Sequence, residues 1–308
     1  STLSSSSAAS DVYKRQLKKR YPKLVYAICT GYGEFGPDKD LPGFDFTAFF
    51  ARGGYLDSLR QKGSVPMNVV PGLGDHNVGM NLVAGILAAL YQAKVKGVGE
   101  KVETSLFESA IFNFGMMIQA SNYEGIAQNY PIDVRESANP FNAAWRTKDE
   151  RFIQTCMPDY NTYYKKFMAA IGREDLVESD KYFPVQSLQA NKLGTEVYDI
   201  VMEAINKKDM EYWRTVFTEA DIPFALAQNW MEIRNDKQAE ANNCFYDMTY
   251  ENGNTRRLVR LPVKFTEMGV PDYKRGPLIG ENGREVLKEI GYSDSDVDKL
   301  IDTNALYI

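Results

Sequence analysis

The hydrophobic positions of this chain fall into three patterns, and each predicts a different element. Leu24-Val25-Tyr26-Ala27-Ile28-Cys29 is a short continuous apolar run that stops at Thr30-Gly31, the pattern of a buried strand. The stretch from Gly31 to Gly43 is rich in Gly, Pro and Asp and reads as a loop, and Phe44 to Arg52 is aromatic and reads as helical. Pro66, Pro71 and Gly72 punctuate a second loop from Gly63 to Gly74. Met80, Val83, Ile86, Leu87 and Leu90 then recur at helical spacing, which predicts a long helix with Asp75 as its N-cap. Gly79, Ala84, Gly85, Ala88 and Ala89 on that helix are small enough for other backbones to pack close, and Gly97 and Gly99 end it. Lys101 to Ser105 alternates like a strand, and Leu106 to Gln119 reads as a second helix.

Beyond residue 120 the pattern changes. Residues 120 to 142 are mostly polar, contain Pro131 and Pro140, and read as a linker. Trp145 to Ile153 predicts a hairpin with a charged turn, and Tyr160 to Glu219 is helical with a break at Pro184. A shorter α+β stretch runs from Asp221 to Phe265, and Arg284 to Ile290 predicts a helix closed by Gly291.

Composition narrows the chemistry. With 44% hydrophobic and 25% charged residues over 308 positions, the chain has the balance of a globular protein large enough to bury a core. A net charge of -5 argues against nucleic acid or an anionic membrane as partner. The longest apolar run, Val78 to Tyr91, falls short of the ~18 residues that read as a membrane span. Cys29, Cys156 and Cys244 show neither metal-ligand spacing nor an even count, so they read as buried free thiols in a reducing, cytoplasmic setting. His76 is the single histidine, which excludes a multi-histidine zinc site. No metal is expected, and the chemistry must lean on carboxylates, backbone amides or a bound cofactor.

Ser6 to Gln16 has neither the basic start nor the apolar stretch of a signal peptide. It matches one reading frame of a transposase adapter used in sequencing libraries. Residues 1–16 are therefore expected to be adapter-derived or a disordered tail, with native sequence from about Leu17.

Gly31-Tyr32-Gly33-Glu34-Phe35-Gly36 fits the dinucleotide fingerprint, but Pro37, Asp38, Pro42 and Gly43 follow where a helix is required. A tight turn needing glycine dihedral angles is the simpler reading. Gly72-Leu73-Gly74-Asp75-His76-Asn77-Val78-Gly79 places an Asp after two glycines at the head of a helix. On these residues alone, Asp75 is most simply a cap.

The ordered set changes that weighting. Gly31 to Glu34, Gly53-Gly54, Gly74 to Asn77 with Gly79-Met80, Gly85 to Leu90 and Gly97 to Val102 occur in the sequence and spacing of family III coenzyme A transferases, which this chain resembles from Leu17 onward. Arg275 to Asn282 with Glu285 to Tyr292 resembles the family's closing motif. The resemblance implies an α/β fold: a Rossmann-like large domain, its N-terminal strands missing here, an inserted smaller α+β domain, and an interlocked dimer. It divides the chain into a large-domain core at 17–125, a linker at 126–144, a small domain at 145–265 and a return to the large domain at 266–308. It implies Asp75 as a nucleophile that forms a mixed anhydride and then an aspartyl-CoA thioester. Gly43, Phe44, Asp45, Phe46, His76 and Asn77 then fall where CoA is contacted, with an acyl-CoA and a small carboxylic acid as substrates and no permanently bound cofactor. His76 is read as a side chain at the first helical position, near the CoA thiol end, with proton donor as the alternative. Asn77 either bonds an acyl group or supports the turn. Phe49 and Phe50 are read as packing, and Glu103 and Glu108 as structural or exposed.

Two alternatives stay open. Related acyl-CoA racemases carry a His-Asp pair where this chain has Phe44-Asp45, so one of the two bases of an epimerisation is absent. A non-catalytic CoA-binding subunit of a hetero-oligomer is the other, against a homodimer of active chains. The substrate class most similar in sequence around Gly43 to Gly54 is that of 2-hydroxy acids and arylacrylates. Without further strands the sheet is expected to expose an edge and an apolar face, giving poor solubility or no CoA binding.

Overall fold

The computed structural model describes residues 16–125 and 127–308, so the adapter-like tail lies outside the described residues apart from Gln16. The chain is mixed α/β and divides into two compact units, one ending at Leu226 and one spanning Ala227–Ile308. That division falls within the stretch 145–265 taken from the sequence as one small domain.

In the first unit, β1 (Tyr26–Thr30) pairs in parallel with β2 (Lys101–Ser105), in the register Tyr26 opposite Lys101 and Thr30 opposite Ser105. Parallel strands need a long crossover. It contains a π-helical turn at Asp45–Ala51, a short helix α1 (Tyr55–Ser58) and the helix α2 (Leu73–Lys96). Helix α2 packs on β2 through Gly85, where a Cβ would lie 2.6 Å from Val102 Cγ1. It ends at Gly97, whose φ of 72° is the left-handed geometry the sequence required there. After β2, Ser105 caps α3 (Leu106–Asn113) by accepting the Glu108 amide, and α4 (Gly115–Ala120) follows. The single helix expected over 106–119 is thus two, parted at Phe114.

Loop 31–43 is closed at its base. Gly31 and Gly43 approach so tightly that a Cβ on either would lie about 2.5 Å from the other's Cα. Gly33 and Gly36 have φ of 96° and 94°, and no helix opens after them, so the dinucleotide reading fails on geometry.

A small core of Ala48, Phe49, Phe50, Val78, Leu106 and Ala110 joins the π-turn to α2 and α3. Phe49 and Phe50 are packing residues, as expected. A larger core lies further along the same unit, around the antiparallel strands β3 (Ala144–Arg146), β4 (Phe152–Thr155) and β5 (Phe224–Leu226). Helices α5 (Tyr160–Ala170), α6 (Val185–Ala190), α7 (Gly194–Ile205) and α8 (Met210–Glu219) pack there, with Pro184 at the start of α6. Phe141 and Ala143, inside the stretch read as linker, belong to this core.

The second unit holds the short helices α9 (Trp230–Arg234) and α10 (Lys237–Ala241) and the hairpin β6 (Phe245–Thr249) with β7 (Thr255–Val259). It ends in α11 (Gly283–Glu289) and α12 (Asp294–Asp302), and Gly291 follows α11 with φ 101°. In the closing motif, Arg275 pairs with Glu251 and Glu281.

Among the described residues, α2 has the length and composition of a membrane-crossing helix, a property that core helices share. Its Met80, Val83, Leu87, Leu90, Tyr91 and Val95 are exposed, while Val78, Ala89 and Ala93 are buried. The three cysteines are free but exposed rather than buried.

Candidate active site

The site forms where the crossover delivers the N-terminus of α2 to the carboxyl end of β1, the position at which open α/β sheets bind ligands. Helix α2 begins two residues before the expected cap. Gly72 is the N-cap residue, with φ 88°, and it offers no side chain. Asp75 is the third residue of the helix and His76 the fourth, so neither holds the position that the sequence assigned.

The cap comes from elsewhere in the chain. Asp45, at the start of the π-turn, is 7% exposed, and its two carboxylate oxygens accept separate backbone amides. Gly72 N donates to Oδ2 at 2.6 Å and Gly74 N to Oδ1 at 2.9 Å. This carboxylate was placed among the CoA contacts on sequence, yet both of its oxygens are engaged with the backbone. Gly74 is needed at the joint, because a Cβ there would collide with Asp45 Oδ1 and lie 2.6 Å from Phe49 Cδ1. The turn itself is fixed by Phe44 N, which donates to Thr47 Oγ1 at 3.0 Å.

Asp75 is therefore relieved of the capping role. Its side chain is exposed and takes part in no hydrogen bond or ion pair among the described residues. The His76 amide is spent on the Gly72 carbonyl at 2.9 Å, whereas among the described residues those of Leu73 and Asp75 have no backbone acceptor. An anion or a developing oxyanion at this end meets free N–H groups and the positive end of the helix dipole. Cys29 lies close enough on β1 to feel Asp75: although the residue is exposed, its thiol is partly screened from water and is pushed up from the usual range, first by that desolvation and then by the carboxylate.

The remaining expected residues surround this point in the chain's own order. Gly43 closes the loop base, and Phe44 and Phe46 flank the buried Asp45 with 68% and 40% of their surface exposed. Asn77 is half-buried and its Oδ1 accepts from Asn81 Nδ2 at 3.4 Å, a contact that supports the helix. Glu103 and Glu108 are exposed; Glu103 pairs with Lys101, and Glu108 accepts the Ser105 hydroxyl at 2.8 Å. The Asp45 cap was missed on sequence because its partners lie 27 and 29 residues away.

The model of CoA-transferase family III matches residues 6–283. The chain belongs to CoA-transferase family III. This family III chain is 51% identical over 284 residues to the cinnamoyl-CoA:phenyllactate CoA-transferase of Clostridium sporogenes, an alignment covering 92% of the chain and 69% of that protein. It is 38% identical to the (R)-2-hydroxy-4-methylpentanoate CoA-transferase of Clostridioides difficile, over 94% of the chain and 72% of the relative. Among solved structures, Rv3272 of M. tuberculosis superposes with a TM-score of 0.73 at 22% identity, covering 86% of this chain and 69% of that one. A CAIB/BAIF family protein of Brucella suis gives 0.73 at 19% identity, covering 90% and 70%. These two likenesses concern the fold. The chain is a CoA-transferase by family, and acyl-CoA is the substrate class of that family.

Proposed function

We propose that this chain moves coenzyme A from an acyl-CoA to a carboxylic acid with Asp75 as nucleophile. The observation that carries the reading is the division of labour at α2: a buried carboxylate caps the helix, and an exposed one stands in its first turn with no structural partner. In the proposed sequence the Asp75 carboxylate attacks the thioester carbonyl, and CoA leaves as the thiolate with formation of an aspartyl-acyl anhydride. The thiolate then attacks the aspartyl carbonyl, which releases the first acid as carboxylate and leaves an aspartyl-CoA thioester. The incoming carboxylate repeats the two steps in reverse and departs as the new acyl-CoA, restoring Asp75. The free Leu73 and Asp75 amides are the groups available to an oxyanion formed there.

The two curated relatives are named for cinnamoyl-CoA with phenyllactate and for a branched 2-hydroxy acid, and on that likeness we assign an arylacrylate or 2-hydroxy acid pair here. Gly43, Phe44, Phe46, His76 and Asn77 are proposed to face CoA or the acyl group. The Rossmann-like large domain and the interlocked homodimer belong to the same proposal. The test is incubation with cinnamoyl-CoA, trapping with hydroxylamine or borohydride, and mass spectrometry of the Asp75 peptide. Thioester-dependent modification of Asp75, and its loss together with transfer in a folded Asp75→Ala variant, is the expected result. Transfer that survives Asp75→Ala removes the assignment.

A further inference from the structure

The geometry points to Asp45 as the positioning residue that keeps Asp75 available as a nucleophile, an inference that rests on the role proposed for Asp75. An acidic side chain at the third position of a helix has a ready partner within its own turn. In a capping box it reaches back to the backbone N–H of the N-cap residue. Asp75 stands at that third position, and the N-cap residue is Gly72. The Gly72 N–H is already donated to Asp45 Oδ2, and the Gly74 N–H to Oδ1. The N-cap amide that an inward-folding Asp75 would seek is thus occupied by a carboxylate from another part of the chain, which takes the Gly74 amide as well. A second anion is also disfavoured at the same donors by like-charge repulsion.

Asp45 is well suited to hold this state. It is 7% exposed, so water competes little for its oxygens, and it begins a turn whose Phe49 packs against Gly74. Gly72 supplies no side chain that would cap the helix instead. The consequence is that Asp45 contributes to reaction through Asp75 and touches no substrate.

Asp45→Asn separates this role from a structural one. Asparagine keeps the shape but has one carbonyl oxygen and an NH2 donor, so only one of the two amides retains an acceptor. The freed amide is then open to Asp75. The measurement is single-turnover labelling of Asp75 by cinnamoyl-CoA with borohydride trapping, together with kcat, KM and the melting temperature. Asp209→Ala serves as a cap-loss control, since Asp209 accepts the Tyr212 amide at the start of α8. A displaced reacting group costs on the order of 100-fold in rate. We expect Asp75 labelling and kcat to fall by about that factor in Asp45→Asn, with KM for cinnamoyl-CoA changed less than about twofold. Asp209→Ala should lower the melting temperature and leave kcat in place. Unchanged labelling in Asp45→Asn overturns the inference while leaving Asp75 as nucleophile. Wild-type protein that transfers CoA without labelling at Asp75 overturns the nucleophile assignment, and the inference with it.

Discussion

Two glycines on α2, five residues apart, should respond in opposite directions to the same substitution. Gly79 has no atom within 4 Å of where a Cβ would be, so Gly79→Ala adds a methyl group to open space. Alanine is about 1 kcal/mol more favourable than glycine in a helix interior, so the variant should gain up to that amount. Gly74→Ala receives much of the same helix benefit but meets Asp45 and the Phe49 ring, with Phe49 Cδ1 only 2.6 Å away. Overpacking of this kind costs about 1–3 kcal/mol. If Asp45 retreats to make room, it gives up an amide hydrogen bond to a charged acceptor worth about 1.5–3 kcal/mol. Net of the helix benefit, Gly74→Ala should destabilise by about 2–4 kcal/mol, and the two variants should differ by roughly 3–5 kcal/mol. Urea unfolding monitored by circular dichroism reads this difference as a change in midpoint at constant slope. Equal midpoints for the two variants would refute the claim that the π-turn bears on Gly74.

Three further outcomes test other parts of the molecule. Thr155 is fully buried, accepts the Trp145 indole N–H at 2.7 Å and donates to the Phe141 carbonyl at 2.6 Å, so Thr155→Val should cost about 2–4 kcal/mol in the same unfolding assay by leaving both groups unpaired. Arg275 holds the Glu281 carboxyl down at about 2, against an ordinary 4.5. A depressed carboxyl stabilises above its unfolded value and loses that contribution as pH falls through the folded one, so between pH 4.5 and about 2 the wild type should lose stability more steeply than Glu281→Gln, as read from melting temperatures. Because the Asp75 carboxylate helps push the Cys29 thiol up, Asp75→Asn should speed iodoacetamide alkylation of Cys29 at pH 7.5, measured by peptide mass spectrometry; an unchanged rate would place the two groups out of range of each other.

Elements defined by local signals were legible in the sequence. Lys101 to Ser105 is a strand over the span that its alternation marked, Gly97 ends α2, and the charged turn joins β3 to β4 with Glu150 at φ 61°. The start of α2 was misplaced by three residues because the sequence offered Asp75 as the obvious cap, while the carboxylate that caps Gly72 lies 27 residues upstream in an aromatic segment. No periodicity encodes such a contact. The break at Phe114 is similarly non-local, since its ring is held 4.0 Å from that of Tyr55 on α1. At the site, residue identity was legible and role was not: Asp45 and Asp75 were both singled out, but only the hydrogen bonds distinguish the capping carboxylate from the free one. The exposure of the cysteines was missed because thiols are usually buried and nothing in their spacing indicates otherwise.

The meeting of Gly31 and Gly43 makes loop 31–43 a replaceable cassette. Its two ends are fixed by contact between their own backbones, and between them Tyr32 packs on the small core, Glu34 pairs with Lys101 and Asp38 with Arg52. Variation in composition at the other positions should therefore be absorbed within the loop without altering the path into the π-turn. A library that randomises those positions while keeping both glycines and the three tethers offers a way to recast the rim of the site and leave its foundation untouched.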